Sequence, residues 1–461
     1  MDTIFALSSA PGRAGVAVIR VSGPAARIAA NMMVGASSRP LEPRRSRLTP
    51  IRHPVTGALI DRGIAVLFPA PESFSGEDVV EFQVHGGLAV VNGILDALGK
   101  IEGLRLGEPG EFTRRAFGNG KLDLAQVEGL ADLIDAETDA QRVQALTQSS
   151  GRLSDMYEAW RSRLIRARAG LEAAIDFSDE EDVAKASVVG VDDDIRELNS
   201  EIERHLEDRH RGEIVRDGFK IALAGPPNVG KSSLLNALAR RDAAIVSAQA
   251  GTTRDVIEVR LDLGGYAVVV SDTAGLREGA VEIEREGIRR TKVKVSEADL
   301  VIWMIDLSAP CGPPPHEVMD RGDKVLVVLN KSDLVERVDT ERLRQGWPPG
   351  ARVWVDELDE PVVVSAASQD GIDRLSTRLS EIVSNRVGET RSPALTRARH
   401  RAHLSRCHRF LGEYCMDEGP AEIELRAELL RSASDAIGRI TGRVDVEDVL
   451  DDVFAQFCIG K

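Results

Sequence analysis

The stretch Lys220–Ala224 (KIALA) runs directly into Gly225–Ser232 (GPPNVGKS), and together they decide the fold of the surrounding segment. The first part is a short apolar run that predicts a buried strand, and Ser233–Ala239 predicts the helix after the loop. Glycines in such a loop let backbone N–H groups surround phosphate oxygens, and the helix adds the positive end of its dipole. Lys231 supplies a cation for the phosphates, and the Ser232 hydroxyl can bind Mg²⁺. Strand, loop and helix in this order predict a phosphate-binding P-loop.

Two further segments complete the phosphate end of the predicted site. Asp272–Gly275 (DTAG) follows the apolar strand Ala267–Val270, which places Asp272 at a strand end where it can hold Mg²⁺ through water. Gly275 can donate its N–H to the γ-phosphate and so respond to the loss of that group. Gly251–Asp255 (GTTRD) lies between the P-loop and DTAG, and its two threonines are candidates for contacts with Mg²⁺ and the γ-phosphate. This segment is therefore predicted to be a switch loop.

The choice of base depends on Asn330–Asp333 (NKSD), which follows the apolar strand Val325–Leu329. A carboxylate there accepts two hydrogen bonds, from N1–H and from the exocyclic amine of guanine, and adenine cannot supply that pair. Ser365–Ala367 follows the strand Pro361–Val364 and suits backbone contact with guanine O6. The motifs stand in the correct order at strand ends, and they predict a hydrolase that binds GTP rather than ATP.

Two details bear on the mechanism of hydrolysis. The residue after DTAG is Leu276 rather than the glutamine that orients water in Ras-like proteins, so another group must orient the nucleophile. Asn228 lies in the P-loop, where its side-chain oxygen could bind a monovalent cation at the place where an arginine finger acts in other GTPases. Alternatively, Asn228 only caps the loop, and its chemistry alone leaves both interpretations open.

Composition bounds the remaining possibilities. A chain of 461 residues with 43% hydrophobic and 29% charged residues predicts a soluble protein of several domains. No uninterrupted apolar run reaches the ~20 residues that span a bilayer, and the first residues lack the pattern of a signal peptide, so we expect a cytoplasmic protein without a membrane partner. The net charge of −15 excludes a globally basic nucleic-acid binder.

Arginines nevertheless cluster on two predicted helices. Such a cluster is either a solvated helix face or a local basic surface for nucleic acid, and the sequence leaves both interpretations open. The clusters are Arg161, Arg163, Arg166 and Arg168 on one helix, and Arg397, Arg399, Arg401, Arg406 and Arg409 on the other.

Secondary-structure patterns divide the chain into an α+β segment, a helical segment and an α/β segment. Up to about residue 120, Val16–Val21 and Ile64–Phe68 predict strands, Leu88–Leu98 predicts a helix, and the proline-rich Pro40–Pro54 predicts a loop. From Leu122 to about Glu213, apolar residues recur at helical spacing, and from Phe219 to about Val383 strands alternate with helices. Helical patterns return in Leu404–Tyr414, Glu422–Ile440 and Val446–Phe457. We therefore predict an α/β domain with a parallel sheet that is inserted into a helical domain.

Motifs outside the GTPase segment bring a family resemblance that runs essentially from end to end. They are Thr3–Ile4, Pro11–Val16, Arg20–Gly23, Ser75–Asp78, His85–Gly87, Pro109–Phe117, Lys121–Gln126 and the terminal Phe457–Lys461 (FCIGK). With these residues the chain resembles the tRNA-modification GTPase family called TrmE or MnmE. Generic GTPases share only the P-loop through NKSD, so the flanking motifs make the resemblance specific.

The resemblance implies a multidomain α/β plus α architecture. Residues 1–120 would form an α+β, tetrahydrofolate-binding and dimerisation domain, 121–216 and 386–461 the two parts of a helical domain, and 217–385 an inserted Ras-like GTPase domain with a mostly parallel sheet. It also implies a cytoplasmic homodimer that forms a heterotetramer with an FAD-dependent partner. That complex installs aminomethyl or carboxymethylaminomethyl groups at C5 of the wobble uridine of certain tRNAs. Its one-carbon donor is 5,10-methylene- or 5-formyl-tetrahydrofolate.

Site residues follow by matching the family's motifs. Implied folate contacts are Arg20, Glu81, Lys121 and Lys461, each of which could instead be a surface charge. The resemblance implies that K⁺ is bound by Asn228, Ser247, Gln249 and Thr252, and Mg²⁺ by Ser232 and Thr253. It implies that Glu284 is the acid that orients the attacking water, with Glu282 as the neighbouring alternative. The implied GTP contacts are Asn228, Val229, Gly230, Lys231, Ser232, Ser233, Ser247, Ala248, Gln249, Ala250, Gly251, Thr252, Thr253, Asp272, Thr273, Ala274, Gly275, Asn330, Lys331, Asp333, Ser365, Ala366 and Ala367.

Three points stay open after the resemblance. Gln249 departs from the apolar residue that is typical of its position, which a backbone ligand to K⁺ should tolerate. Cys458 could attack uracil C6 as a thiolate, although only Lys461 is nearby to activate it, so a packing role is favoured. The alternative function is that of a ribosome-assembly or signalling GTPase without modifying activity, but we find no KH domain with a GxxG loop, the kind of RNA-binding appendage that such relatives carry.

Overall fold

The N-terminal part of the computed structural model is a six-stranded sheet with helices on one face. Its strands lie in the order β3-β4-β5-β2-β1-β6, and only β1 and β6 are parallel. They are β1 (Thr3–Leu7), β2 (Ala14–Ser22), β3 (Arg47–Arg52), β4 (Leu59–Phe68), β5 (Val79–Gly86) and β6 (Leu104–Leu106), with helices α1 (Ala26–Val34) and α2 (Leu88–Gly99). The helices bury Ile19, Val21 and Phe82 of the sheet. Alternate residues of β2 and β5, such as Arg20 and Glu81, face away from this core, which is the periodicity expected of a half-covered sheet.

One prediction for this part is wrong. The sequence predicts a loop over Pro40–Pro54, but this segment contains β3, in which Thr49 and Ile51 are buried. The strand lies at the edge of the sheet, where the missing N–H of Pro50 is tolerated because no further strand needs it. Proline content therefore concealed an edge strand, while the strands and helix predicted around it are confirmed.

Helices follow as predicted from the end of this sheet to the P-loop strand. They are α3 (Glu111–Gly118), α4 (Leu124–Asp135), α5 (Asp139–Ser149), α6 (Arg152–Asp176), α7 (Glu181–Leu206) and α8 (Arg211–Asp217). Helix α4 packs Leu124 and Val127 into an apolar cluster. Helix α6 buries Tyr157, Leu164 and Leu171, whose spacing is that of one helix face.

The second sheet has the order β12-β11-β10-β7-β9-β8 and is parallel except for the β8–β9 hairpin. Its strands are β7 (Phe219–Ala224), β8 (Glu258–Leu263), β9 (Tyr266–Asp272), β10 (Leu300–Asp306), β11 (Val325–Asn330) and β12 (Val362–Val363). Helices α9 (Lys231–Arg241), α10 (His316–Met319) and α11 (Ile372–Val387) belong to the same segment. Every residue of β11 is buried, as expected of a central parallel strand covered on both faces. The predicted fold class, including the inserted α/β domain, is confirmed.

The chain ends in α12 (Ala398–Met416), α13 (Ile423–Thr441) and α14 (Glu447–Ala455). The structure describes residues 2–35, 39–176, 181–208, 210–242, 258–272, 293–309, 312–338, 360–388, 393–416, 423–444, 447–455, 457 and 459–461. Contacts divide the chain into two units, Met1–Ala131 with Gln148–Asn199 and Arg406–Lys461, and Asp132–Thr147 with Ser200–Ser405. The divisions fall inside α4, α5, α7 and α12, so four helices run from one unit into the other. Within the described ranges, no helix combines the length and apolar character that a membrane span requires.

Candidate nucleotide-binding site

The P-loop joins β7 to α9 and depends on two glycines. Gly225 has φ of 150°, and a Cβ there would lie 2.7 Å from the carbonyl oxygen of Met304 on β10. Gly230 has φ of 101°, and a Cβ there would lie 2.4 Å from the side-chain nitrogen of Asn330. Any larger residue would push the loop away from its neighbours, so both positions require glycine for close approach as well as for conformation.

The ammonium group of Lys231 is enclosed by the loop that it follows. Its Nζ donates to the carbonyl oxygens of Gly225 at 2.8 Å and Pro226 at 3.0 Å, and the residue is buried. Burial lowers the pKa of Lys231 below its ordinary value, although the Asp272 carboxylate opposes this shift. A cation with so little water around it interacts strongly with an anion, which suits the binding of phosphate oxygens.

The predicted Mg²⁺ ligands meet at the start of α9. Ser232 Oγ donates to Asp272 Oδ2 at 2.6 Å, and Asp272 is a buried residue at the end of β9. A hydroxyl and a carboxylate side by side are the hard oxygen donors that Mg²⁺ prefers, so these residues fit the ion. Thr253, the other implied ligand, lies outside the described residues.

A single buried amide joins the two ends of the site. Asn330 Nδ2 donates to the carbonyl oxygen of Val229 in the P-loop at 2.7 Å, while Asn330 Oδ1 accepts from the backbone N–H of Ala366 at 3.0 Å. Asn330 is 2% exposed, so water cannot replace these bonds. The first residue of NKSD therefore fixes the P-loop and the Ser365–Ala367 loop in one arrangement.

The guanine end is built around Asp333. Ser365 Oγ donates to Asp333 Oδ1 at 2.6 Å and thereby orients the carboxylate, which is exposed. Lys331 has φ of 66°, and its Nζ lies 2.6 Å from Asp306 Oδ2 at the end of β10. Sequence reasoning missed Asp306, although it ends an apolar strand just as Asp272 does. All these groups leave the carboxyl ends of neighbouring strands, where open α/β sheets bind ligands.

The structure brings together the described part of the predicted GTP site and leaves the rest of it untested. Separate hydrogen bonds join Ser232 to Asp272, Asn330 to Val229 and Ala366, and Ser365 to Asp333, while Asn228 and Ala367 are exposed in their loops and Ser233 is exposed in the first turn of α9. Asn228 has φ of 59°, a conformation that asparagine tolerates. The residues outside the described ranges are Ser247, Ala248, Gln249, Ala250, Gly251, Thr252, Thr253, Thr273, Ala274, Gly275, Glu284 and Cys458. Their roles, including the K⁺ ligands, stay predictions.

The predicted folate contacts lie in the N-terminal sheet. Arg20 on β2 and Glu81 on β5 are cross-strand partners, with Arg20 Nη2 2.9 Å from Glu81 Oε1. The Arg20 guanidinium lies 5.4 Å from the ring centroid of Phe74 and 5.7 Å from that of Phe112. A carboxylate, a guanidinium and two aromatic rings suit a flat heterocycle with N–H donors, so the residues fit a pterin.

The two implied lysines are placed separately from this ion pair. Lys121 is exposed, and its Cγ would be 3.4 Å from a Cβ at Gly76. The terminal segment lies against the end of β1, because Ser8 Oγ donates to the carbonyl oxygen of Gly460 at 2.8 Å. A Cβ at Gly460 would lie 2.0 Å from the carbonyl oxygen of Leu7, so this position also requires glycine. Lys461 thus follows a segment fixed to the same sheet as Arg20, and no ion pair of either lysine appears among the described residues.

Several arginines of the two basic clusters are engaged in ion pairs. Arg163 Nη2 lies 2.7 Å from Asp194 Oδ1, and Arg401 Nη2 lies 2.6 Å from Asp208 Oδ1. Arg397 Nη2 lies 2.8 Å from Asp132 Oδ1 and is mostly buried. Each of these three arginines joins one helix or chain segment to another. At these positions the arginines are structural, and neither the solvated-face interpretation nor the nucleic-acid interpretation holds.

The strand–loop–helix unit, the Ser232–Asp272 pair and the NKSD loop define a P-loop hydrolase of guanine nucleotides. Comparison with known families gives matches that include the segments on both sides of the GTPase segment. Residues 3–121 match the family model "GTP-binding protein TrmE N-terminus", and residues 124–458 match "MnmE helical domain". The chain therefore belongs to the MnmE, or TrmE, family, and it is a GTP-hydrolysing enzyme.

Relatives cover the whole chain. A protein of Parvibaculum lavamentivorans named "tRNA modification GTPase MnmE" is 52% identical over 100% of both chains, and one of the same name from Paramagnetospirillum magneticum is 49% identical over 100% of both. A Danio rerio relative, named as the mitochondrial subunit GTPB3 of a 5-taurinomethyluridine tRNA synthase, is 44% identical over 100% of this chain and 93% of its own. Among solved structures, the G domain of the T. maritima FeoB iron transporter covers 35% of this chain and 97% of its own, with 24% identity and a TM-score of 0.24, which is too low to carry an argument.

Replacing Asn330 by alanine tests the joint between the P-loop and the guanine loop. We expect Asn330→Ala to weaken GDP and GTP binding by about 10-fold or more, because two buried groups lose their partners at about 1–3 kcal/mol each. Titration with a fluorescent GDP analogue measures this loss. Asn236→Ala, which removes an exposed amide from α9, is the matched control and should bind as the unchanged protein does. Equal affinities for the two variants would contradict the assignment.

Proposed function

We propose that this chain is a potassium-dependent GTPase that, with an FAD-dependent partner, installs aminomethyl or carboxymethylaminomethyl groups at C5 of the wobble uridine of certain tRNAs. The observation that carries the proposal is the 52% identity, over the full length of both chains, to a protein named tRNA modification GTPase. It acts in the cytoplasm as a homodimer, with domains at 1–120, 121–216 with 386–461, and 217–385. Similarity along the flanks favours this function over that of a GTPase without modifying activity.

Residues of the GTPase domain divide the work of binding between the two ends of the nucleotide. Lys231 and the P-loop N–H groups bind the phosphates, and Ser232 with Asp272 would hold Mg²⁺, which supplies charge neutralisation at the phosphates when bound. Asp333, oriented by Ser365, accepts hydrogen bonds from guanine. Discrimination against ATP then arises because adenine would leave this carboxylate without its two donors.

The N-terminal sheet is the proposed site of tetrahydrofolate, which would supply the one-carbon unit. Glu81 can accept from the N–H groups of the pterin, and Arg20 holds Glu81 in place while lying near Phe74 and Phe112. The terminal segment reaches the same sheet through Ser8 and Gly460, which supports Lys461 as a further contact. Lys121 would contribute through its exposed ammonium group.

The function is tested first on tRNA. A strain lacking this chain should lose C5-aminomethyl uridines from digested tRNA, as measured by mass spectrometry, and the wild-type chain should restore them. Reconstitution with the FAD-dependent partner, tRNA and methylene-tetrahydrofolate, with GTP, K⁺ or folate omitted in turn, should give product only in the complete mixture. Unchanged nucleosides in the deletion strain would refute the proposal. Co-sedimentation with ribosomal subunits without folate binding would favour the ribosome-assembly alternative.

The cation requirement tests the role of Asn228. We expect GTP hydrolysis in K⁺ to exceed that in Na⁺, because a cation bound by the Asn228 oxygen replaces an arginine finger, a role worth about 10³–10⁵ in rate. Asn228→Gly should remove the difference between the two salts, since glycine keeps the backbone at φ of 59° and only the oxygen is lost. Asn236→Ala should retain it. Equal rates of the wild-type chain in K⁺ and Na⁺ would rule out the cation.

The choice between the two neighbouring acids tests the assignment of the water-orienting group. We expect Glu284→Ala to lower the rate of GTP hydrolysis by about 10²–10⁴, the usual contribution of a positioned acid or base, while nucleotide affinity stays nearly intact. Single-turnover hydrolysis and nucleotide titration measure the two quantities. Glu282→Ala is the matched control. If Glu282→Ala loses hydrolysis and Glu284→Ala keeps it, the assignment belongs to Glu282.

A further inference from the structure

One carboxylate binds both segments of chain that connect the inserted GTPase domain to the helices. Asp132 Oδ1 lies 3.0 Å from Arg216 Nε and 2.8 Å from Arg397 Nη2. Arg216 is in α8, the last helix before β7, and Arg397 lies between α11 and α12, where the chain leaves the GTPase segment. Asp132 itself is in the last turn of α4. The entering and leaving segments therefore share one anionic partner.

Backbone contacts fix the same two segments. Gln141 Nε2 of α5 donates to the carbonyl oxygen of Arg216 at 3.0 Å, and Gln144 Nε2 donates to that of Gly212 at 2.9 Å. A Cβ at Gly212 would lie 2.2 Å from the carbonyl oxygen of Leu395, so the entering and leaving backbones touch. Both glutamines are buried, which makes these bonds costly to break. The junction is thus held in one arrangement by amides and by the Asp132 carboxylate.

The charges make Asp132 the sensitive member of this junction. Its side chain is 16% exposed and that of Arg397 11% exposed, so solvent screens the pair only partly. Removing the carboxylate breaks both of these ion pairs at once and leaves Arg216 its more exposed pair with Asp217, whereas removing either arginine leaves the other ion pair of Asp132 intact. A loss at Asp132 therefore disturbs the entering and the leaving segment together.

Each end of α4 contacts a different functional segment. At its last turn, Asp132 binds α8, which leads through β7 alone to the P-loop. At its first turns, Leu124 and Val127 pack with Phe454 and with Phe457, the first residue of the terminal FCIGK segment. That segment ends at Gly460 against β1, in the sheet of the proposed folate site. A continuous helix thus links the P-loop strand to the terminal segment.

We propose that Asp132 is a positioning residue that couples the nucleotide state of the GTPase domain to helix α4 and so to the modification chemistry. The inference rests on the proposed function. When nucleotide exchange shifts α8, Arg216 moves with it. Because Asp132 is bound to Arg216, α4 moves as well, and because Asp132 is also bound to Arg397, the leaving segment moves together with the entering one. Coupling of this kind is a free energy that links events at two sites. Its loss therefore makes GTP hydrolysis and tRNA modification independent of each other without abolishing either of them.

The test compares Asp132→Asn with Asp135→Asn, an exposed aspartate on the same helix that makes a matched control. Full-length protein with its FAD-dependent partner is assayed for GDP affinity, GTP hydrolysis and tRNA modified per GTP hydrolysed. We expect Asp132→Asn to keep affinity and hydrolysis near wild type but to lower modification per GTP by about 10-fold, within the usual range of coupling. Asp135→Asn should match wild type, and Asp132→Glu should restore part of the loss.

Hydrogen exchange of α4 distinguishes coupling from a merely structural role, because a structural role alone gives α4 no dependence on the bound nucleotide. In wild type, exchange at Leu124–Asp135 should differ between the GDP state and the state with a non-hydrolysable GTP analogue, and Asp132→Asn should abolish the difference. If Asp132→Asn does not melt cooperatively, Arg397→Gln is the second variant; it keeps the Asp132–Arg216 ion pair and should lower modification per GTP while GDP affinity and hydrolysis stay near wild type. Wild-type modification per GTP in a folded Asp132→Asn protein overturns the inference. If the wild-type protein modifies no tRNA, the proposed function fails. If hydrogen exchange of α4 is identical in the two nucleotide states, the coupling inference fails, whatever the result for tRNA.

Discussion

The nucleotide site depends on the side-chain amide of Asn330 more than on any other single contact. The P-loop and the Ser365–Ala367 loop leave different strands and share no backbone hydrogen bond that would fix their separation. Asn330 fixes the separation of the two loops, because its side-chain amide donates to Val229 and accepts from Ala366 at a position closed to water. Gly230 is then required for a second reason besides its φ, since a side chain there would occupy the place of that amide. Phosphate and base recognition are thus one rigid arrangement.

Arginine plays a corresponding role in the helical parts of the chain. A protein with a net charge of −15 has an excess of carboxylates, and a planar guanidinium can bind more than one acceptor at a fixed geometry. Arg401, for example, reaches Asp208, Glu213 and the carbonyl oxygen of Leu206. Arg401 therefore holds the segment that enters the GTPase domain. Sequence alone could not separate this use from binding of an anionic partner, because both place arginines at helical spacing.

What the sequence predicts well is what local chemistry determines. The P-loop, NKSD and the buried strand β11 are predicted because apolar strands and glycine turns act within a few residues. Edge strand β3 was missed because a local rule about proline outweighed the alternation of Thr49 and Ile51. The Asp132–Arg397 pair joins residues 265 positions apart, and nothing periodic marks either of them. Contacts of that kind depend on the completed fold, which is why Asp132 was absent from the predicted site, whereas Asp306 ends an apolar strand and carried the same local signal as Asp272.

The two sheets of the described chain have no strand in common, and the proposed coupling between a nucleotide on one and a folate on the other runs through the helices. Four helices run from one unit into the other, and they differ in what they can transmit. The hydrophobic effect is non-directional, so apolar packing alone does not set the direction in which a helix moves. An ion pair with two fixed guanidinium groups is directional, and α4 combines it with apolar packing at its opposite end. In the proposed coupling, a displacement at the charged end would repack the cluster around Phe454 and Phe457, at the start of the segment that carries the terminal residues.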